Sequence, residues 1–243
     1  MYSDADAAAL YDVLYPWNPE TRAANRFYFD LVMAADSVLD VGCGTGAMLH
    51  RARDQGHQGR LVGLDPDRPS LDRARRRTGV EWIEGTAADA PSGADFALAT
   101  MTGHAFQCLV TDHEVRSSLA AIHGALRPGG RFAFETRHPQ ARAWEKWNPA
   151  NISDTVDASG RALRIWHQVE SVVHDVVTFT ETTAEPNGPV LRVDRAHLRF
   201  LAPDSLDAFL HEAGFEIETR LGAWDNTPVT PTSTEIITIA TRN

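Results

Sequence analysis

The sequence predicts an α/β protein, a doubly wound and mostly parallel sheet that carries an inserted antiparallel lobe. Three observations support this expectation. Short apolar strand patterns alternate with helical ones through the first two thirds of the chain, and parallel strands need such crossovers to connect them and cover the sheet. A glycine-rich turn, "GCGTG" (residues 42–46), follows the first apolar strand directly. Past about residue 139 the strand patterns continue with no helix between them, as in an antiparallel meander.

Taken in order, "SVLDV" (37–41) is a short buried strand and "AMLHRARDQ" (47–55) the helix after the glycine turn. "RLVGLD" (60–65) is the second strand and 69–77 the second helix, while "VEWIEG" (80–85) and "DFALAT" (95–100) are strands three and four. A helix over 112–126 stops at "RPGG", read as a turn, ahead of strand five, "RFAFET" (131–136). "RALRIWHQVESV", "VVTFTETT" and "VLRVDRAHLRFL" make the meander. A helix over 205–213 ends at Gly214, and "FEIETRLG" and "STEIITIATR" close the chain as two strands. Residues 1–138 and 202–243 are thus expected to form the main domain and 139–201 the lobe.

Composition narrows the function. The 243 residues suit one large domain with an insertion. Hydrophobic residues make up 43% and no apolar run approaches the length of a bilayer span, so no membrane partner is expected. A formal net charge of −10 opposes binding to nucleic acid, where phosphate neutralisation dominates. The one basic cluster, "DRARRR" (72–77), reads as a solvated helix face. Cys43 and Cys108 are too few and too far apart for a disulfide framework or a thiolate zinc site, and the ten histidines show no paired spacing, so no metal is expected. The N-terminal stretch has no basic region followed by a continuous apolar one, which makes the cytoplasm the default location.

In open parallel sheets, ligands bind at the carboxyl ends of the strands where the strand order reverses, and the turn after the first strand lies there. Gly42, Gly44 and Gly46 let backbone approach a ligand closely, and the following helix offers free N–H groups. Asp65, ending the second strand, is placed to accept hydrogen bonds from two ribose hydroxyls. The spacing Gly42-x-Gly44-x-x-Ala47 also satisfies a permissive dinucleotide fingerprint, so the turn by itself admits a dinucleotide or another adenosine-bearing ligand.

Together with that turn, "VLDVGCGTG", "GLDPD" (63–67), "LRPGGRFAFET" (126–136) and the closing strands resemble the class I S-adenosylmethionine-dependent methyltransferases, over nearly the whole chain. The resemblance implies a Rossmann-like seven-stranded sheet whose last strand is antiparallel. It also implies methyl transfer from S-adenosylmethionine to an N or O atom of a small-molecule acceptor, leaving S-adenosylhomocysteine. By the family pattern Asp40 and the backbone of Gly42, Cys43, Gly44 and Gly46 hold the methionyl end of the cofactor, and Asp65 the ribose. Pro66 packs on the adenine, the Ala87 backbone meets its edge, and Thr100 joins the set. Thr86 departs from the pattern, which sets an acidic residue there; Asp89 either reaches back to replace it or merely solvates the loop. In the resembling family an aromatic segment such as "LYDVLYPW" (10–17) folds over the cofactor, with Tyr11 and Tyr15 near a sulfonium that attracts aromatic faces. "MTGHAFQCL" (101–109) is similar to the sugar N-methyltransferases of antibiotic pathways, whose lobe makes the dimer. The lobe here is accordingly a candidate for acceptor selection, a homodimer contact, or both.

Displacement at an activated methyl asks chiefly for alignment, exclusion of water and, at times, removal of a proton. His104, just past strand four, is the candidate base, against the alternative of a loop cap. Phe106, Glu135, His138, Trp144 and Trp147 are candidate acceptor contacts, with Trp166 and Trp224 as further walls. Glu135 and His138 bracket the end of strand five, and Glu135 either binds a cationic acceptor or pairs with Arg131 or Arg137. Two other readings stand beside methyl transfer: an NAD(P)-dependent oxidoreductase, and a cofactor-binding protein without catalysis.

Overall fold

The computed structural model describes residues 2–243. At its centre β1 (Ser37–Val41) pairs in parallel with β2 (Arg60–Asp65) on one side and β4 (Phe96–Met101) on the other. Both of its faces are covered, which is why its run is nearly all apolar. With β3 (Glu81–Glu84), β5 (Leu126–Arg137), β10 (Phe215–Leu221) and β11 (Glu235–Arg242), the order is β10-β11-β5-β4-β1-β2-β3. The seventh strand, β11, lies antiparallel to both of its neighbours. The chain runs outward from β1 to β3 and then returns to β4 on β1's other side, so the strand order reverses between β1 and β4 and opens a crevice at their carboxyl ends.

Strand alternation sorts the sheet's side chains between two helical layers. On one face α5 (Asp112–Ala125) and α6 (Pro203–Glu212) press Leu119, Ile122, Leu206 and Leu210 into a core with Leu39, Val41, Phe132 and Phe134. On the other, α2 (Ala23–Ala34) and α3 (Ala47–Asp54) bring Tyr28, Val32 and Leu49 against Val38, Leu98 and Ala133. Two residues beyond each of those strand positions stand Asp40, Thr100 and Glu135, all buried. A period of two therefore delivers three polar side chains to the α2–α3 side of the crevice.

Several expectations change. The "RPGG" stretch does not separate helix from strand: Leu126 already pairs with Phe96, and the register then jumps to Arg131 opposite Leu98, so the turn is a bulge within β5. Gly130 permits it, because a Cβ there would meet the carbonyl oxygens of Phe96 and Arg127 at 2.8 Å. The second helix, α4 (Arg68–Ala74), begins one residue earlier and ends three earlier than expected, capped by Asp67. α2 was not foreseen, since Arg22 supplies no side-chain cap and its aromatic run carries no start signal. α1 (Asp4–Leu14) does carry one, a Ser3–Asp6 capping box.

The lobe is a four-stranded antiparallel sheet, β6 (Ser153–Val156), β7 (Ala162–Val173), β8 (Val176–Ala184) and β9 (Val190–Arg199). The short β6 lies ahead of the strands expected for the meander. Leu10 of α1 and Tyr2, which precedes the helix, dock on this sheet by packing with Leu163 and Ile165. Among the described residues no helix is long and apolar enough to cross a membrane.

Candidate active site

The glycine turn is held from beneath. Gly42 and Cys43 both donate their N–H groups to the carbonyl of Leu64, at 2.8 and 3.2 Å, which locks the turn to the end of β2. Gly46 has φ +74°, and a Cβ on it would lie 2.2 Å from the indole of Trp82, so this position needs glycine both for its backbone and for its close packing. At Gly44 the reverse holds: an added Cβ would meet nothing within 4 Å, and the open space above the turn is where a ligand fits.

Asp65 closes one side of that space. Its two carboxylate oxygens each accept a backbone N–H, from Gly44 and from Asp67, both at 2.7 Å. Each oxygen keeps a second lone pair, the number a ribose diol needs. Burial raises the Asp65 carboxyl above its ordinary range. Asp40 lies deeper, only 2% exposed, and accepts a hydrogen bond from Thr100 Oγ1 at 2.9 Å. Burial pushes its carboxyl up to about 7. Among the described residues neither Asp40, Asp65 nor Glu135 has a cationic side-chain nitrogen within 4.0 Å. Three buried carboxylates without a cation are costly. A ligand bearing an ammonium, a sulfonium and a ribose would supply positive charge beside Asp40 and hydroxyl donors to Asp65, so these two residues fit S-adenosylmethionine.

Pro66 stands exposed at the rim and Ala87 is buried at the start of a 3₁₀ turn. Thr86 caps that turn, and Asp89 is fully engaged in doing so, its Oδ2 accepting from the Thr86 N–H and Oγ1 at 2.8 Å each. The Asp89 carboxylate is thus turned back onto its own loop.

Past β4 the chain makes a tight turn in which Gly103 and His104 both adopt left-handed backbone, with φ +67° and +63°, while Ala105 N–H donates to Thr102. A left-handed histidine costs on the order of 1 kcal/mol and is held by its surroundings. Here the surroundings are two glutamates. The His104 N–H donates to Glu135 Oε1 at 2.9 Å, and His104 Nε2 lies 2.9 Å from Glu235 Oε2. The other oxygen of Glu135 accepts from the Tyr28 hydroxyl. Burial raises the Glu135 carboxyl, and burial together with that carboxylate raises the Tyr28 phenol well above its usual value. Tyr28 and Glu235 come from α2 and β11, and no local pattern marked either one.

α1 roofs this arrangement. Asp12 accepts from Thr45 Oγ1 at 2.5 Å and from Arg73 Nη2 at 2.7 Å, tying the helix to the glycine turn and to α4. Tyr11 and Tyr15 pack together at 4.9 Å between ring centroids. Each is half exposed, yet the Tyr11 hydroxyl points inward, 3.6 Å from where a Cβ on Gly103 would stand. Enclosure of that hydroxyl pushes it up to about 12.

Other candidates fall elsewhere. Phe106 is only 2% exposed and stacks on Phe134 at 4.6 Å, so it belongs to the core and not to the acceptor cleft. His138 is buried just past the end of β5, and its Nδ1 accepts from Gln140 N–H as the cap of the turn that follows. Glu135 pairs with neither arginine: Arg131 lies by Glu218, and Arg137 by Gln107. Trp144 packs edge-on against Phe200 and Trp147 against Phe179, within the lobe's own aromatic cluster. Trp166 alternates to the far face of β7, and Trp224 packs on Phe27 and Tyr28. In the basic run, Arg73, Arg75 and Arg77 pair with Asp12, Asp72 and Asp54.

A doubly wound sheet with an acid-lined glycine cleft at its switch point, roofed by an N-terminal helix, defines a nucleoside-cofactor enzyme of the class I methyl-transfer type. The family described as "Methyltransferase domain" matches residues 38–130. The chain is 33% identical over 186 residues to the 2-phytyl-1,4-naphtoquinone methyltransferase of Thermosynechococcus vestitus, covering 74% of this chain and 72% of that protein. It is 27% identical over 224 residues to the dTDP-3-amino-3,4,6-trideoxy-alpha-D-glucopyranose N,N-dimethyltransferase of Streptomyces venezuelae, covering 88% and 92%. In fold it is similar to the CcbJ methyltransferase from Streptomyces caelestis, with TM-score 0.76 over 99% and 98% of the chains at 19% identity. The chain belongs to the S-adenosylmethionine-dependent methyltransferases.

Proposed function

We propose that the acceptor atom is an amine nitrogen of a small metabolite and that His104 is the base. The observation that carries this reading is the Glu135 carboxylate, buried at the end of β5 without a cationic partner and beside an imidazole held by Glu235. An amine or ammonium brings the positive charge and N–H donors that Glu135 lacks, whereas a phenolate or carboxylate at the same place meets repulsion. The amino-sugar N,N-dimethyltransferase among the relatives supports the same acceptor class.

When bound, S-adenosylmethionine supplies a methyl group on a cationic sulfur. The chain's residues do the rest. Glu235 accepts the hydrogen on His104 Nε2, which fixes the tautomer and leaves Nδ1 as the basic nitrogen. Among the described residues Nδ1 has no hydrogen-bond partner, nor is it a sealed atom, so it is free to take the proton that the amine loses on methylation. Glu135, fixed by Tyr28 and the His104 N–H, orients the amine. Tyr11 and Tyr15 exclude water from above.

The test is release of S-adenosylhomocysteine with panels of amines, phenols and carboxylic acids. Amines are expected to turn over, and His104→Ala to lower kcat by about 10²–10⁴ without changing affinity for S-adenosylhomocysteine. Turnover of phenols or acids alone would remove the amine reading; an unchanged kcat would remove the base. A homodimer through the lobe is proposed on a separate observation, since Val156, Val172, Val173, Val190 and Val193 stand about half exposed on that small sheet. Light scattering that gives the mass of one chain would refute it.

A further inference from the structure

Arg137 is the last residue of β5 and stands two residues beyond Glu135, hence on the same face of the sheet and about 7 Å further along the strand. Its guanidinium lies over the ring of Trp147, 5.4 Å from the centroid. Its Nη1 donates to Gln107 Oε1 at 3.0 Å. Gln107 is itself fully buried and pinned, its Nε2 donating to the Arg199 carbonyl at 3.0 Å. The guanidinium is therefore held on a constructed support of indole below and buried amide at the side.

What it lacks is an anion. Among the described residues no carboxylate lies within 4.0 Å of it, and Glu235, its cross-strand partner in register, is engaged by His104. Nε and Nη2, one edge of the guanidinium fork, have no hydrogen-bond partner in the protein and are not among the sealed, unpaired polar atoms. That edge keeps some solvent access. Two other partly buried arginines behave differently: Arg192 and Arg199 each hold two carboxylates. A planar fork presented edge-on and pre-oriented by stacking is the geometry that binds a carboxylate or phosphate through two parallel hydrogen bonds.

We infer that Arg137 is an anion subsite for the acceptor. It takes a carboxylate or phosphate carried by the same molecule whose amine is oriented by Glu135, and so selects acceptors bearing both charges. This rests on the amine reading above. The separation of the two groups along β5 is what lets one cleft accept a cation at Glu135 and an anion at Arg137.

Calorimetry on the protein loaded with S-adenosylhomocysteine tests it with two probe pairs: O-phosphoethanolamine against ethanolamine, and γ-aminobutyrate against γ-aminobutyramide. The expected result is that wild type prefers the anionic member of at least one pair by roughly ten- to a hundredfold, the range of a charge-assisted hydrogen-bonded pair. Whichever pair shows the preference tells phosphate from carboxylate. Arg137→Gln is expected to abolish the preference and leave the member without the anion and S-adenosylhomocysteine bound as before. Arg137→Lys, a point charge without the fork, should keep part of it. No preference in either pair, or no binding of any probe, overturns the subsite. So does an equal loss of both members in Arg137→Gln, which would make the guanidinium only a counter-charge to Glu135 and Glu235. A loss confined to S-adenosylhomocysteine affinity would assign Arg137 to the cofactor's own carboxylate and overturn it as well. Ethyl phosphate separates the two readings: if it binds as tightly as O-phosphoethanolamine through Arg137, the amine reading falls while the subsite stands.

Discussion

Asp40→Asn isolates the cost of keeping a carboxylate buried for a ligand. In the folded protein burial lifts the Asp40 carboxyl from 3.8 to about 7, with Asp65 and Glu135 adding to the rise and the Thr100 hydrogen bond opposing it. Between those two values the folded chain holds a proton that the unfolded chain has released, so stability falls as pH rises through the window. A rise of about three pH units, at about 1.4 kcal/mol each, makes the full loss about 4 kcal/mol by pH 8, and little of it is felt below about pH 3. For a chain of this size that is about 8 to 16 °C in melting temperature. Asparagine still accepts from Thr100 Oγ1 and never ionises, so its melting curve should lose that much less between about pH 3 and pH 8. Comparing the two slopes cancels the fixed cost of burying an amide. The assay is thermal or urea unfolding of the ligand-free proteins across pH, with calorimetry of S-adenosylhomocysteine alongside. Wild-type affinity should weaken below pH 7 as Asp40 protonates, and the variant's affinity should be low and flat there. Parallel stability curves for the two proteins would refute the assignment of a buried, ionising Asp40.

Two further perturbations address how the cleft is built. Gly46→Ala places a Cβ 2.2 Å from the Trp82 indole at φ +74°, so it should cost upwards of about 2 kcal/mol in urea unfolding, and a loss below about 0.5 kcal/mol would show that the indole gives way freely. Asp12→Ala removes the tie from α1 to Thr45 and Arg73. It should leave global stability within about 1 kcal/mol, since the pair is partly exposed, yet weaken S-adenosylhomocysteine binding and speed proteolysis within residues 2–20. Unchanged proteolysis and affinity would mean that α1 is held by its apolar contacts with the lobe alone.

The alternation of apolar runs and the glycine turn made the sheet, its helices and the place of the glycine turn at the strand ends readable from the chain. Such features are set within a few residues: a period of two for a strand, a glycine where a side chain cannot fit, an aspartate at a strand end. Asp40, Gly44 and Asp65 belong to this class, because each sits next in sequence to the element that positions it. The cluster around His104 is different. Tyr28, Glu135 and Glu235, gathered around His104, are brought together from separate elements over sequence separations of up to 131 residues, and no window of the chain contains their relation. Phe106 and His138 show the same limit from the other side. Each lies within three residues of a candidate site residue in sequence, but the short turn after His104 folds Phe106 down onto Phe134, and the turn after β5 engages His138 with the Gln140 N–H, so nearness along the chain did not bring either to the cleft. What the sequence determined by itself was local backbone geometry and periodicity; what only the tertiary structure decided was which charges meet, because burial and the pairing of β5 with β11 are properties of the packed sheet and not of any segment within it.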